Sequence, residues 1–288
     1  MKKVMIIGIN GMLGHILAKK ASESYQVIGT YQNFLSRRNY ETVQLDITDV
    51  NSVNSVISKF KPDLIVNCAA ITDLDFCETH ADLVKKVHVD GTRNLSEAAK
   101  KIGAKFIHVS TDFVFDGKKG NYTEEDLPNP LNVYAQTKYA GEKVVSGNLL
   151  IIRTSIYGWN IKNKHSIVEW IIDNLKNNKS IYPFIDSFFT PIYTGFLAKI
   201  ILRMFEKDLR GLFHVSGSER VSKYDFALEV AKIFNLNNNL IKKGNIDSFK
   251  RIAKRPKDTS LNCEKIKKLR FKLITVDEGL EMMKNDKL

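Results

Sequence analysis

The stretch VMIIGINGMLGHILAKKASES, residues 4–24, constrains the fold more than any other. An unbroken apolar run, Val4–Ile7, enters a loop carrying Gly8, Gly11 and Gly14, and the loop opens into a segment of helical period. A strand without polar alternation is buried on both faces, which is the habit of parallel sheets covered by helices. The first half repeats this unit. Apolar strand runs recur at 25–31, 42–47, 63–70, 105–111 and 148–158, with amphipathic helices predicted over 50–60, 83–103 and 132–146. This alternation predicts an α/β fold, a Rossmann-type doubly wound parallel sheet with helices on both faces.

Beyond Gly158 the pattern loosens. Helices are predicted over 165–177, 195–207, 223–236 and 276–285, and a short strand over 211–217 (GLFHVSG). The expected organisation is a nucleotide-binding domain over 1–158 and a smaller C-terminal substrate lobe over 159–288, with 190–210 packing back on the first domain. A chain of 288 residues with 43% hydrophobic content can bury such a core. Its apolar runs fall short of the roughly 18–20 residues that span a bilayer, so no membrane partner is expected. The opening MKKVMIIGING reads as a first strand, because glycines interrupt the apolar run early and no cleavage site follows. Three cysteines, Cys68, Cys77 and Cys263, form no close CxxC pair, and the six histidines do not cluster, so a reducing, cytoplasmic setting without a metal is expected.

The net charge is +12, and residues 241–272 hold twelve Lys/Arg against three Asp/Glu. Such a stretch suits a phosphate-bearing ligand, or is a solvated face. No aromatic-interleaved or zinc-finger motif accompanies it, so nucleic acid is not the expected partner.

Three glycines between a strand and a helix bring backbone N–H groups and a helix N-terminus to one place, as a dinucleotide pyrophosphate requires. Gly8, Asn10, Gly11, Met12, Leu13 and Gly14 are therefore candidate cofactor contacts. NAD would call for an acidic residue at the end of the second strand, which reads GTYQN. Arg37 and Arg38 follow instead, and a guanidinium suits a 2′-phosphate. NADPH is the expected cofactor, with NADH the other that the loop could take. Asp46 and Ile47, closing the third strand, are placed to meet the adenine.

VYAQTKYAG (133–141) carries Tyr134 and Lys138, which share a helix face at i, i+4. Such a pair is common by chance, but this one follows a strand ending in Ser110-Thr111. A lysine cation favours a phenolate, and is expected to pull the tyrosine below its ordinary value near ~10. Thr111 can donate to a substrate oxygen. Together the three residues suit hydride transfer to a ketone, with Tyr134 as proton donor.

With these pieces in place the chain resembles an extended short-chain dehydrogenase/reductase, and within that superfamily the dTDP-4-dehydrorhamnose reductase family. GINGMLG, NCAA (67–70), STDFVFDG (110–117), the Tyr134–Lys138 helix with its YAGE, IIRTSIYG (151–158) and RPKDTSLNCEKIKK (255–268) carry the likeness over nearly the whole chain. The resemblance implies reduction of a 4-keto-6-deoxy sugar on a nucleoside diphosphate, with Thr111, Tyr134 and Lys138 as catalytic trio. It implies cofactor contacts from Cys68, Ala69, Ala70, Ser110, Tyr134 and Lys138, the lysine to the nicotinamide ribose, and substrate contacts from Thr72, Asp112, Phe113, Ile156 and Arg255. Arg255 is the expected diphosphate clamp. Related 4,6-dehydratases carry Thr-Asp-Glu where this chain has Thr111-Asp112-Phe113, and phenylalanine cannot act as acid or base, so simple reduction is expected. Two departures leave the sugar open: Ile156 stands where the family often has tryptophan, and DSFFTP (186–191) differs at Ser187 and Phe189. A sugar-nucleotide epimerase or another 4-keto reductase is the enzymatic alternative. A non-catalytic NADP-binding subunit resembling methionine adenosyltransferase β is the other. A homodimer is expected by analogy alone.

Overall fold

The structure is a computed structural model and describes residues 1–33, 40–161 and 166–286. In chain order its elements are β1 (Lys3–Ile7), α1 (Met12–Ala21), β2 (Gln26–Tyr31), β3 (Glu41–Gln44), α2 (Val50–Phe60), β4 (Leu64–Asn67), α3 (Leu74–Thr79), α4 (Ala81–Lys85), α5 (Gly91–Lys101), β5 (Lys105–Val109) and α6 (Val133–Lys143). There follow β6 (Leu149–Arg153), β7 (Ile156–Tyr157), α7 (Ile167–Lys176), β8 (Phe188–Phe189), β9 (Ile192–Tyr193), α8 (Thr194–Glu206), β10 (Gly211–His214), β11 (Val221–Ser222), α9 (Lys223–Ile233), α10 (Glu264–Lys267) and α11 (Val276–Asn285).

Seven strands form one sheet in the order β10-β6-β5-β4-β1-β2-β3, and every pairing in it is parallel. Side chains along β1 alternate between faces, and both faces are apolar. Val4 and Ile6 join Leu13 and Leu17 of α1 and Leu197 and Ile201 of α8. Met5 and Ile7 join Val53 and Ile57 of α2 and Leu95 and Ala99 of α5. That is why the strand reads as a continuous hydrophobic run. Truncating the fully buried Ile57 to alanine would cost about 2–5 kcal/mol. Helix α2 starts where the Asp49 carboxylate accepts from the backbone N–H groups of Asn51 and Ser52, and stops where Lys61 turns left-handed at φ 48°.

The strand order reverses between β1 and β4. The loops leaving these two strands diverge to opposite faces and open a crevice at the carboxyl ends, the usual ligand position in such sheets. Beyond this edge a second apolar cluster joins α7, α9 and α11 through Ile171, Ile172, Phe226, Val230, Leu280 and Met283. Helix α7 opens with a reciprocal cap between Ser166 and Glu169.

Three elements differ from expectation. Residues 211–217, expected within the looser second half, supply β10, the seventh strand of the main sheet, in register with β6 (Leu212 opposite Ile151). Helix α8, seated on the same face as α1, is the crossover that delivers it. The run 148–158 is not one strand: it leaves the sheet after Arg153, and Ile156–Tyr157 pairs with β9. The run 83–103 is not one helix, because a π-helical turn, Lys86–Asp90, separates α4 from α5. Among the described residues no helix is long and apolar enough to cross a membrane.

Candidate active site

The glycine loop joins β1 to α1. Gly11 is the N-cap of α1, with no side-chain cap and no acidic residue in the first turn, so the helix end keeps free donors and its positive pole. Gly8 has φ +81°, and a Cβ there would lie 3.1 Å from the Ala69 Cα across the crevice. A Cβ on Gly14 would lie 2.2 Å from the Gly8 carbonyl oxygen. The loop therefore lies against its own helix at a distance that only glycine allows, leaving a cradle of backbone that fits a pyrophosphate. Leu13 is buried in the core, so what it offers a ligand is its backbone N–H, while Asn10 and Met12 are half-buried beside it. Cys68, Ala69 and Ala70 line the far side after β4, where the Cys68 N–H donates to the Ile7 carbonyl at 3.1 Å.

Past the ends of β2 and β3, an open cleft is lined by Gln32, Asn33, Gln44, Leu45, Asp46 and Ser52. Asp46 is exposed, and its Oδ1 accepts from the Thr48 N–H (2.9 Å) and hydroxyl (2.8 Å). Ile47 is buried against Gly91, at the start of α5. Arg37 and Arg38 lie outside the described residues.

The tyrosine side is built from two caps. Thr111, extended just past β5, accepts from the Phe113 N–H at 3.2 Å and starts a 3-10 turn, Asp112–Val114. Asn132 caps α6 by accepting from the Ala135 N–H at 2.9 Å, and its amide donates to the Lys254 carbonyl at 2.8 Å. These two caps bring Tyr134 to Thr111, whose hydroxyl is near enough to favour the phenolate. The Tyr134 ring is held edge-on by Phe113 (centroids 6.4 Å apart) and His88 (5.8 Å). One turn on, the buried Lys138 donates from Nζ to the Val109 carbonyl at 2.7 Å.

The expected electrostatics needs correction. The Tyr134 phenol is not pulled down; burial pushes it up to about 12, opposed by the Thr111 hydroxyl. Burial also drives the Lys138 ammonium down to about 8, against the opposing pull of Glu142 and Cys68. Desolvation of each group outweighs their helix-face proximity, and the lysine directs a proton at Val109.

Two expected contacts are taken by protein partners. The Ser110 hydroxyl donates to Glu142 Oε1 at 2.5 Å, inside a buried ion pair in which Arg153 Nη2 lies 2.7 Å from Glu142. Arg255 Nη2 lies 3.2 Å from the Asp75 carboxylate, so the expected diphosphate clamp is already paired. Asp112 is buried and satisfied. The Thr259 hydroxyl donates to it at 2.5 Å and the Thr111 hydroxyl at 3.2 Å, and burial raises its carboxyl above the ordinary range. Thr72 is exposed on the loop before α3, and Ile156 packs against the sheet's core from β7. Among the described residues no group of three or more His, Cys, Asp or Glu could hold a metal ion.

Sequence reasoning missed His88 and Lys223. His88 sits in the π turn, and its Nε2 accepts from the Ile71 N–H at 2.9 Å. The other ring nitrogen therefore carries the proton and donates to Thr137 Oγ1 at 2.9 Å, fastening the 70–72 loop to the helix of Tyr134. A lone histidine in a helical run gives no signal of this. Lys223 is one of 44 Lys/Arg, and only the fold brings it to Asp112.

A family model described as RmlD substrate binding domain matches residues 1–287. The chain belongs to that family. It is 32% identical to a dTDP-4-dehydrorhamnose reductase of Aggregatibacter actinomycetemcomitans, over 92% of each chain. It is 33% identical to the methionine adenosyltransferase 2 subunit beta of Bos taurus, over 93% of this chain and 82% of that one. Among solved structures it superposes on the Bacillus anthracis dTDP-4-dehydrorhamnose reductase in complex with NADP with a TM-score of 0.86, 30% identity and full coverage of both chains (100% and 100%).

Proposed function

We propose that the chain is an NADPH-dependent oxidoreductase that reduces the 4-keto group of a nucleotide-linked 6-deoxy sugar, as a dTDP-4-dehydrorhamnose reductase does. The observation that carries this reading is the placing of Tyr134 against the Thr111–Phe113 turn at the carboxyl end of β5, with Lys138 one turn along α6.

The glycine loop and the bare N-terminus of α1 hold the pyrophosphate of the cofactor. NADPH, when bound, supplies the hydride. Thr111 donates to the ketone oxygen and polarises the carbonyl. Tyr134, whose phenol burial raises to about 12, keeps its proton at neutral pH and passes it to that oxygen, giving the alcohol. Lys138, at about 8, is largely cationic at neutral pH and stabilises the phenolate left behind. Phe113 has no proton to give or take, so beside Asp112 the site lacks the second carboxyl of the acidic pair that loss of water would need.

The test is NADPH consumption with dTDP-4-dehydro-L-rhamnose, wild type against Tyr134→Phe. The variant is expected to lose about 10²–10⁴-fold in kcat while binding NADPH as before. A wild type that binds NADPH but turns over no keto sugar, or a fully active variant, defeats the reading. A second reading, an NADP-binding regulatory subunit, draws support from the 33% identity to methionine adenosyltransferase 2 subunit beta. It requires a stoichiometric complex with a catalytic transferase subunit and no keto-sugar turnover.

A further inference from the structure

Lys223 is the first residue of α9. Ser222 caps the helix by accepting from the Asp225 N–H at 2.9 Å, and the Lys223 N–H donates to the Ser187 carbonyl at 2.8 Å. Strand β11 pairs antiparallel with β8, which sets Lys223 beside Phe189. The ammonium lies 3.0 Å from the centroid of the Phe189 ring, and that ring is 3% exposed. On its other side the ammonium feels the Asp112 carboxylate. Asp112 takes its hydrogen bonds from Thr259 and Thr111, and the Lys223 ammonium forms no hydrogen bond or ion pair among the described residues.

The Lys223 side chain is half-buried and keeps part of its surface open. Burial drives the ammonium down to about 7. The aromatic face and one carboxylate beyond hydrogen-bond reach offset only part of that cost. A methionine would cover Phe189 equally well, so packing does not call for a charge here. Three N–H donors without protein acceptors, on a side chain that stays partly open, are available to oxygen atoms supplied from the cleft. The position says which oxygens. The Asp112 carboxylate accepts from the Thr111 hydroxyl, and its charge acts on both Lys223 and Tyr134. Lys223 therefore faces the reacting carbonyl from the lobe side of the crevice. Phe189 and Ser187, where the chain departs from the common family pattern, form its immediate support.

We propose that Lys223 is a substrate-binding residue whose ammonium donates to hydroxyl oxygens of the hexose unit, on the side opposite Tyr134 and Thr111. The proposal rests on the keto-sugar reading above and adds to it the residue by which the lobe recognises the sugar.

The experiment is calorimetric titration of the full chain with NADP⁺ bound, using dTDP-L-rhamnose and dTDP as probes, for wild type, Lys223→Met and Lys223→Gln. Lys223→Met is expected to weaken dTDP-L-rhamnose at least tenfold. It should leave dTDP and NADP⁺ within twofold and the thermal midpoint no lower than wild type. Lys223→Gln, which keeps a donor, should recover part of the loss. Equal affinity of wild type and Lys223→Met for dTDP-L-rhamnose overturns the inference alone, and so does an equal weakening of dTDP. A wild type that binds dTDP-L-rhamnose no tighter than dTDP overturns the keto-sugar reading and this inference with it.

Discussion

Lowering the pH from 7 to 5 should remove a large share of the folding free energy, through three histidines held neutral. His88 accepts from the Ile71 N–H, and burial with the Lys138 cation pushes it down to about 3. His108, in the sheet interior, is pushed well below its ordinary value by burial and by the same cation. His214 Nδ1 donates to the Tyr122 carbonyl at 3.0 Å, and burial with the Arg153 cation brings it to about 3. In the unfolded chain each imidazole titrates near ~6.5. Between there and the folded values the unfolded state binds three protons that the native state refuses, so stability falls as pH falls. Integration from pH 7 to 5 gives about 2 kcal/mol each for His88 and His214, about 4 kcal/mol together, and His108 adds in the same direction, against an ordinary total of about 5–15 kcal/mol. The carboxyls held low in the fold, Asp116, Asp126, Asp208 and Glu278, lose their contribution only below about pH 4.5, outside this window. Asp112 acts in the opposite sense, since burial raises it and protonation relieves it. The assay is urea unfolding at pH 7, 6 and 5, with the slope on urea checked for constancy. His214→Gln should remove about 2 kcal/mol of the loss between pH 7 and 5, whatever it does to stability at pH 7. Equal stability at pH 7 and 5, or an undiminished pH dependence in His214→Gln, refutes the reasoning.

Two further substitutions test the cradle and the helix behind the tyrosine. Gly14→Ala puts a methyl 2.2 Å from the Gly8 carbonyl oxygen, so the loop must move off the helix. NADP(H) binding, read by fluorescence titration, should weaken at least tenfold, with a stability loss of about 1–3 kcal/mol. Glu142→Ala strands the buried Arg153 and frees the Ser110 hydroxyl, and should cost about 3–5 kcal/mol in urea unfolding. It also removes the charge that holds Lys138 up, so that lysine's pKa should fall below about 8.

Much of this molecule is legible locally. Strand β1, the glycine loop and α1 follow one another within 19 residues, from Lys3 to Ala21, and each is written in the composition of its own segment. The Tyr134–Lys138 spacing is likewise local. What cannot be read is what distance in sequence decides. Strand β10 has four residues, and its place beside β6 is set by where α8 lies on the sheet. The π turn at His88 reflects an inward pull from Ile71 and Thr137, the latter 49 residues away in the chain. Ser110 and Arg255 look available in sequence, yet Glu142 and Asp75 have already engaged them.

The correction at Tyr134 bears on mechanism. An i, i+4 lysine suggests a phenol already on its way to phenolate, which is the state a dehydrogenase needs to accept a proton. Burial acts on the two groups in opposite directions. It raises the neutral form of the tyrosine toward about 12 and lowers the charged lysine toward about 8, and so brings their proton affinities closer together. At neutral pH the tyrosine still holds its proton and the lysine still holds its charge. That is the ground state from which a ketone is reduced: a proton ready beside the carbonyl, and a cation ready to receive the negative charge once the proton leaves. On the proposed mechanism Thr111 joins the two functions, since its hydroxyl favours the Tyr134 phenolate and is the donor offered to the substrate oxygen. Removing the buried environment while keeping all three residues would lower the phenol, raise the lysine and lose this arrangement. The reducing character of the site therefore lies in the walls around the trio as much as in the trio itself.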